Sequence, residues 1–129
     1  MIFNSKDNIS KKWDHQDIPD MHDKFALITG SNSGLGYYTA KALSEKGCHV
    51  ILSCRTLEKA ENAKEKLLEI IPGGKFTVLE LDLSDFKNVS EKSHQIINEF
   101  PRLDLLINNA GIMHPPRTLS SQGYEIQFA

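Results

Sequence analysis

The chain has 129 residues, which is enough for one domain at most, and a compact fold of this size buries roughly two-thirds of its surface. Its formal net charge is −2 and its cations form no cluster, which argues against nucleic acid as a partner. No apolar run approaches the roughly 18 residues that cross a bilayer, and the N-terminal stretch lacks the apolar core of a signal peptide. These features predict a cytoplasmic protein without a transmembrane segment.

Residues 1–23 form a polar N-terminal extension, and residues 24–129 form the domain. Two alternatives remain for the extension: Trp13 and Ile18 fasten it to the domain, or it is a mobile tail. Strands then alternate with helices. We predict strands at residues 25–29, 49–54, 76–81 and 104–108, helices at 34–46, 57–71 and 86–99, and a loop at 111–121. This alternation predicts a parallel sheet with helices on both faces, in the order third, second, first and fourth strand.

The most informative stretch is residues 29–36, Thr-Gly-Ser-Asn-Ser-Gly-Leu-Gly, between the first strand and the first helix. A strand, a Gly-rich turn and a helix N-terminus in this order form an anion site, because the turn's N–H groups and the helix dipole face the bound group. Glycines let the main chain approach a pyrophosphate without a Cβ in the way. The spacing G-x-x-x-G-x-G differs from the general G-x-G-x-x-G fingerprint, so the motif alone is a weak signal. It predicts a bound dinucleotide.

The second strand closes on Arg55, 25 positions after Gly30. In a dinucleotide-binding unit this strand end faces the adenosine ribose. An acid there pairs with the hydroxyls of NAD, whereas an arginine suits the extra phosphate of NADP. No acid occupies the neighbouring positions, so the sequence favours NADP over NAD. The alternative is that Arg55 is a solvated charge at the end of a strand.

Two further strand ends carry residues suited to a ligand. Asp82 follows the third strand, where it is placed to accept a hydrogen bond from an adenine amino group. Its alternative role is that of a turn or cap residue, with Ser84 as the N-cap of the next helix. The fourth strand runs into Asn108-Asn109-Ala110-Gly111, whose small residues allow a flat ligand to approach. The two asparagines could equally be turn formers.

Together these segments resemble the short-chain dehydrogenase/reductase family, from about Asp17 to the last residue. The resemblance is carried by residues 29–36, Arg55, Asp82-Leu83 and residues 108–111. The amino-acid sequence of these motifs is most similar to the branch of retinol dehydrogenases and protochlorophyllide reductases. It implies a Rossmann-type, doubly wound α/β parallel sheet, truncated here after the fourth strand. It also implies an NADP-dependent oxidoreductase that transfers hydride between the nicotinamide and a small alcohol or carbonyl substrate.

Carried over residue by residue, the resemblance implies one cofactor site along the strand ends. The pyrophosphate would lie on the Gly-rich turn, the 2′-phosphate on Arg55, and the adenine beside Asp82 and Leu83. The ribose nearest the nicotinamide would lie on residues 109–111, while Asn108 ties strands together. The implied cofactor residues are Gly30, Asn32, Ser33, Gly34, Leu35, Gly36, Arg55, Asp82, Leu83, Asn109, Ala110 and Gly111.

No catalytic residue is predicted in this chain. Family members use a Tyr-x-x-x-Lys pair, a Ser upstream of it and an Asn for proton transfer, and these lie beyond the given sequence. Tyr37 and Lys41 match the spacing, but they fall in the first turns of the phosphate-binding helix, far from hydride chemistry. Tyr124 has no lysine four positions on. We therefore expect the isolated chain to be inactive.

Cysteine and histidine predict neither a disulfide nor a metal site. Cys48 and Cys54 lie at opposite ends of one strand, about 20 Å apart, which is too far for a disulfide and typical of reduced, buried thiols. The five histidines show no ligand spacing.

Three functions remain from the sequence. The leading hypothesis is the cofactor-binding half of an NADP-dependent oxidoreductase. The second is a non-catalytic nucleotide-binding module whose short form is genuine. The third is a methyltransferase, against which Arg55 argues, because that fold favours an acid at the end of the second strand. The fourth strand would be an uncovered apolar edge, which predicts self-association and favours a truncated product.

Overall fold

The computed structural model describes residues 12–129 and contains one parallel four-stranded sheet in the order β3-β2-β1-β4. The strands are β1 (Phe25–Thr29), β2 (His49–Cys54), β3 (Lys75–Glu80) and β4 (Leu105–Ile107). Three helices connect them: α1 (Gly34–Glu45), α2 (Leu57–Ile70) and α3 (Phe86–Glu99). The α/β class, the Rossmann-type topology and the strand order are confirmed.

The side chains of β1 and β2 alternate between two cores, one on each face of the sheet. On one face, Ala26, Ile28, Val50 and Leu52 pack with Ala40 and Leu43 of α1 and with Leu67 of α2. On the other face, Leu27, Ile51 and Leu79 pack with Ile96 of α3. Burial on both faces explains why these strands are continuous apolar runs in the sequence.

The start of α3 differs from the prediction. Asp85, and not Ser84, is the N-cap residue, and its carboxylate accepts the N–H of Lys87 at 3.0 Å. Ser84 instead donates its N–H and its hydroxyl to Asp82 Oδ1, at 2.9 and 2.6 Å. Both residue types are good caps, but Asp82 engages the hydroxyl of Ser84 and leaves the cap to the next carboxylate.

The segment before β1 reaches the core through two apolar side chains. Ile18 packs against the core on the face of α1 and α2, which we call the main core, and Met21 is buried within it. The N–H of Met21 donates to the carbonyl of Lys46 at 2.8 Å. Trp13 is 68% exposed, so of the two predicted fasteners only Ile18 packs on the domain. Residues 1–11 of the predicted extension lie outside the described part of the chain.

His49 begins β2 at the amino-terminal edge of the sheet, between two aromatic rings. Its ring centroid lies 5.3 Å from that of Phe25 and 5.5 Å from that of Phe100. Its Nε2 is 2.8 Å from the hydroxyl of Thr77. Burial, and to a lesser degree the Lys75 ammonium, lower the pKa of the imidazole. The folded protein therefore resists protonation of His49.

We expect the free energy of unfolding to fall as the pH is lowered from about 7.5 to about 5.5. Above the ordinary histidine pKa of about 6.5 the imidazole is neutral in both states, and below it the unfolded chain takes up a proton that folded His49 resists. Urea unfolding at a series of pH values measures this, and His49→Gln should flatten the curve. His94→Gln, on the surface of α3, is the control. An equal slope in both variants would contradict the assignment.

The face of the sheet beside β4 is apolar and open. A groove of about 410 Å³ runs between β4 and α3, lined mostly by leucine, isoleucine, valine and phenylalanine side chains. Leu106 of β4 is 58% exposed and Ile97 of α3 is 73% exposed. Within residues 12–129, β4 pairs with β1 alone, so its other edge offers unpaired backbone groups.

We therefore expect the 129-residue chain to self-associate in a concentration-dependent manner, because an apolar face and a free strand edge adjoin. Sedimentation velocity over a range of concentrations measures this. Leu106→Lys should shift the distribution toward monomer. Ile70→Lys is the matched control, since Ile70 is also half exposed but lies on α2. A monodisperse wild-type monomer at all concentrations would refute the prediction.

Candidate functional site

The carboxyl ends of β1 and β4 are joined by Thr29 and Asn109. The hydroxyl oxygen of Thr29 accepts the N–H groups of Asn109 and Ala110, both at 3.0 Å. In return, Asn109 Nδ2 donates to the carbonyls of Thr29 and Gly30, at 3.0 and 3.1 Å. The strand-tying role that the resemblance gave to Asn108 thus belongs to Asn109. This junction fixes the point at which the Gly-rich turn leaves the sheet.

Two glycines of the turn are required by close packing around this junction. Gly30 has a φ of +63°, and a Cβ on it would lie 2.9 Å from the Cα of Ala110. A Cβ on Gly36 would lie 2.4 Å from the carbonyl oxygen of Gly30 and 2.5 Å from Asn109 Nδ2. Their absent side chains let α1 and residues 109–110 close on the end of β1.

The start of α1 is open and has no side-chain cap. Ser33 is the N-cap residue, and its hydroxyl makes no capping hydrogen bond. Gly34 has a φ of +55° and would meet nothing within 4 Å if it carried a Cβ. The first-turn N–H groups, at the positive end of the helix dipole, are therefore available to an anion.

A cleft of about 310 Å³ lies beside this helix terminus, at the carboxyl ends of the strands. Of the predicted cofactor residues, its lining includes Gly30, Asn32, Arg55, Asp82, Leu83, Ala110 and Gly111. The structure thus brings together four strand ends that are far apart in the sequence. The other predicted residues do not line the cleft: Ser33, Gly34, Leu35 and Gly36 form the end of the turn and the start of α1, and Asn109 lies in the junction.

Arg55 and Asp82 face each other across the ends of β2 and β3. Arg55 Nε is 3.7 Å from Asp82 Oδ2, and the arginine side chain is 65% exposed. The other carboxylate oxygen of Asp82 is held by Ser84, whose side-chain hydrogen bond is the main reason that the pKa of Asp82 is lowered. Asp82 is therefore an ionised turn residue that also lines the cleft.

Sequence reasoning missed two parts of the cleft wall. Lys59, in the first turn of α2, lines the cleft beside Arg55. The sequence feature that could have predicted this is the spacing of four residues between Arg55 and Lys59 across the start of α2. Ile126 and Gln127 form another part of the wall. Nothing local in the sequence around them indicated this position.

The end of β2 also contacts the buried side of the Gly-rich turn. Ser31 is fully buried, and its N–H and hydroxyl both donate to the carbonyl of Ser53, at 3.3 and 3.4 Å. Cys54 Sγ lies 3.8 Å from the Ser31 hydroxyl oxygen. Both cysteines are free and buried as predicted, and burial raises the pKa of Cys54 and brings that of Cys48 to about 11. They remain neutral thiols and not nucleophiles.

Tyr37 and Lys41, the pair that matches Tyr-x-x-x-Lys, are engaged elsewhere. Tyr37 packs against the main core, and Lys41 forms an ion pair with Glu45 on α1. Neither side chain lines the cleft.

The sequence and the fold are matched by known proteins. The sequence model described as short chain dehydrogenase matches residues 24–127. The chain belongs to this family. Retinol dehydrogenase 14 of Mus musculus is 42% identical over 118 residues, with 84% of this chain and 35% of the relative covered. The chloroplastic short-chain dehydrogenase TIC 32 B of Brassica napus is 42% identical over 104 residues, covering 81% and 32%. The chain thus spans about a third of the length of the curated relatives it matches.

Solved structures show the same architecture. An uncharacterized protein from Mycobacterium paratuberculosis superposes with a TM-score of 0.76 at 37% identity, over 91% of this chain and 40% of that one. The NADP complex of Pseudomonas aeruginosa RhlG gives a TM-score of 0.66 at 28% identity, over 72% and 36%. An oxidoreductase from Haemophilus influenza with bound NAD gives 0.65 at 27% identity, over 75% and 34%. Members of the fold have thus been solved with either dinucleotide.

None of the helices within residues 12–129 is long and apolar enough to cross a membrane. In the same stretch, no three His, Cys, Asp or Glu side chains are grouped so that they could hold a metal ion. The cytoplasmic location stays a prediction.

We expect Gly36→Ala to destabilise the protein by about 1–3 kcal/mol, because the added methyl group has no room between α1 and the junction of Thr29 with Asn109. Gly73→Ala is the control, since a Cβ at Gly73 would meet nothing within 4 Å. Its free energy of unfolding should stay within about 0.5 kcal/mol of wild type. Urea unfolding of the three proteins measures both effects. Equal stability of Gly36→Ala and Gly73→Ala would show that the packing is not tight.

Proposed function

We propose that residues 24–129 are the NADP-binding part of an oxidoreductase that transfers hydride between the nicotinamide and an alcohol or carbonyl substrate. The observation that carries this proposal is the pair of cations, Arg55 and Lys59, in the strand-end cleft beside the uncapped start of α1. A helix N-terminus binds a pyrophosphate, and two cations that line the same cleft suit a second phosphate on the ribose.

The residues of the cleft fit the parts of the dinucleotide in order along the strand ends. The pyrophosphate would take the N–H groups of residues 32–36 at the start of α1. The adenine would lie beside Asp82 and Leu83, and the nicotinamide ribose beside Ala110 and Gly111. Asn109 supports this wall from behind, because its amide nitrogen is already shared between the carbonyls of Thr29 and Gly30.

The surroundings of Arg55 favour NADP over NAD. A charge-assisted hydrogen bond to phosphate contributes about 1.5–3 kcal/mol, whereas an exposed ion pair such as that with Asp82 contributes about 0–1 kcal/mol. The guanidinium approaches Asp82 through Nε, so its terminal nitrogens are left for the phosphate. Solved relatives with bound NADP support the same choice, although the fold also accepts NAD.

The bound dinucleotide would supply the hydride or accept it, and this chain would hold and orient the cofactor. No group in residues 12–129 is assigned to proton transfer. The complete reaction and its substrate are proposed only for a protein of the full length that the relatives have.

We expect Arg55→Ala to weaken NADP binding about 10- to 100-fold and to leave NAD binding nearly unchanged. Lys59→Ala should act in the same direction with a smaller effect, because a lysine lacks the bidentate geometry. Calorimetric titration with both cofactors measures these constants. Arg117→Ala is the control, since Arg117 is exposed and does not line the cleft. An equal loss for NAD and NADP would mean that Arg55 supports the fold and does not contact the phosphate.

A further inference from the structure

The C-terminal hairpin, residues 118–126, is held outside the sheet. Its two arms pair through a bridge between Leu119 and Glu125, and the N–H of Ile126 donates to the carbonyl of Thr118 at 3.1 Å. At the tip, the N–H of Ser120 donates to the carbonyl of Tyr124 at 2.7 Å. These hydrogen bonds lie within the hairpin, so they do not determine which part of the domain the hairpin packs against.

One side chain fastens the hairpin to the start of α3. Gln122 Nε2 donates to Asp85 Oδ1 at 2.9 Å, and Gln122 Oε1 accepts the N–H of Phe86 at 3.3 Å. The N–H of Asp85 in turn donates to the carbonyl of Asp82 at 3.2 Å. Gln122 is therefore bonded to the turn that carries Asp82 into the cleft.

The hairpin leads directly into the wall of the cleft. Ile126 and Gln127 line the same cleft as Asp82 and Leu83. Gln127 Nε2 also donates to the carbonyl of Ile112 at 3.4 Å, next to the residues that end β4. The position of this wall relative to the turn at Asp82 thus depends on how the hairpin sits on α3.

We propose that Gln122 is a positioning residue for the dinucleotide, because it docks the C-terminal hairpin on α3 and so sets the wall at Ile126 and Gln127 beside Asp82 and Leu83. This inference rests on the proposed dinucleotide binding. The ring centroids of Phe86 and Tyr124, each about half exposed, lie 5.2 Å apart at the same contact. Loss of the Gln122 bonds would lower the fraction of molecules with a formed wall and raise the apparent Kd by the same factor.

Calorimetric titration of Gln122→Ala with NAD and NADP tests the proposal. We expect both cofactors to bind about three- to tenfold more weakly, since the wall serves the part that they share. This pattern differs from Arg55→Ala, which should affect NADP alone. Hydrogen exchange of residues 118–129 should be slowed by cofactor in the wild type, and this protection should be lost in Gln122→Ala.

Gln95→Ala is the matched control. Gln95 also bonds through both amide atoms, to Glu99 at 2.9 Å and to Lys92 at 3.4 Å, but all three residues lie on α3. Its substitution should leave both affinities unchanged. If Gln122→Ala binds both cofactors as tightly as wild type, the proposal is overturned, whether or not exchange in the hairpin becomes faster.

A second variant, Gln122→Glu, keeps the length of the side chain but places a carboxylate against the Asp85 carboxylate. It should weaken the binding of both cofactors at least as much as Gln122→Ala. Urea unfolding of both variants should show a folded protein under the binding conditions, so that weaker binding reports the loss of the docking contact. Full affinity in Gln122→Glu overturns the proposal. A wild-type chain that binds neither dinucleotide overturns the proposed function and this inference together, whereas unchanged binding in Gln122→Ala overturns the inference alone.

Discussion

The shape of the strand-end cleft depends on the hydroxyl of Thr29. Its oxygen accepts two N–H groups, from Asn109 and Ala110, and the same hydroxyl donates to the carbonyl of Ile107 at 3.5 Å. A hydroxyl has two acceptor positions and one donor, so its bonding capacity is used in full. This buried group binds the end of β1 to the end of β4. The Gly-rich turn, the start of α1 and residues 109–111 are all placed relative to it.

Packing at this junction requires glycine in the turn, independently of any bound cofactor. Gly36 lies against the carbonyl of Gly30 and the amide of Asn109, so it brings α1 onto the sheet. Gly34 has open space around it, so it leaves the helix terminus accessible. One motif therefore combines close packing of helix on strand with an open helix terminus, which a ligand could approach closely.

Charge in the cleft is arranged so that the arginine remains usable. Asp82 is ionised, but one of its oxygens is held by Ser84, and the other is 3.7 Å from Arg55 Nε. A partner that is this distant and exposed orients the guanidinium without neutralising it. The buried thiol of Cys54 and the buried hydroxyl of Ser31 contribute no charge, so two cations, Arg55 and Lys59, stand against one carboxylate, Asp82, at this end of the cleft.

The sequence by itself determined the elements, their order in the sheet and the strand ends that carry the site. Apolar runs, glycine positions and the alternation of strand and helix are local properties, and the right-handed connection between parallel strands leaves few topologies. The sequence could place Arg55, Asp82, Ala110 and Gly111 along one cleft because the carboxyl ends of parallel strands share one edge. Only the tertiary structure decided which neighbouring residue takes each role. Asn108 and Asn109 are identical in type, but beyond the end of β4 Asn109 bonds to Thr29 and Gly30, whereas Asn108 lines the groove between β4 and α3. Ser84 and Asp85 are equally good caps until Asp82 occupies one of them. The docking of Gln122 on a helix 37 residues earlier in the chain has no local signature, because it arises only when distant segments pack together.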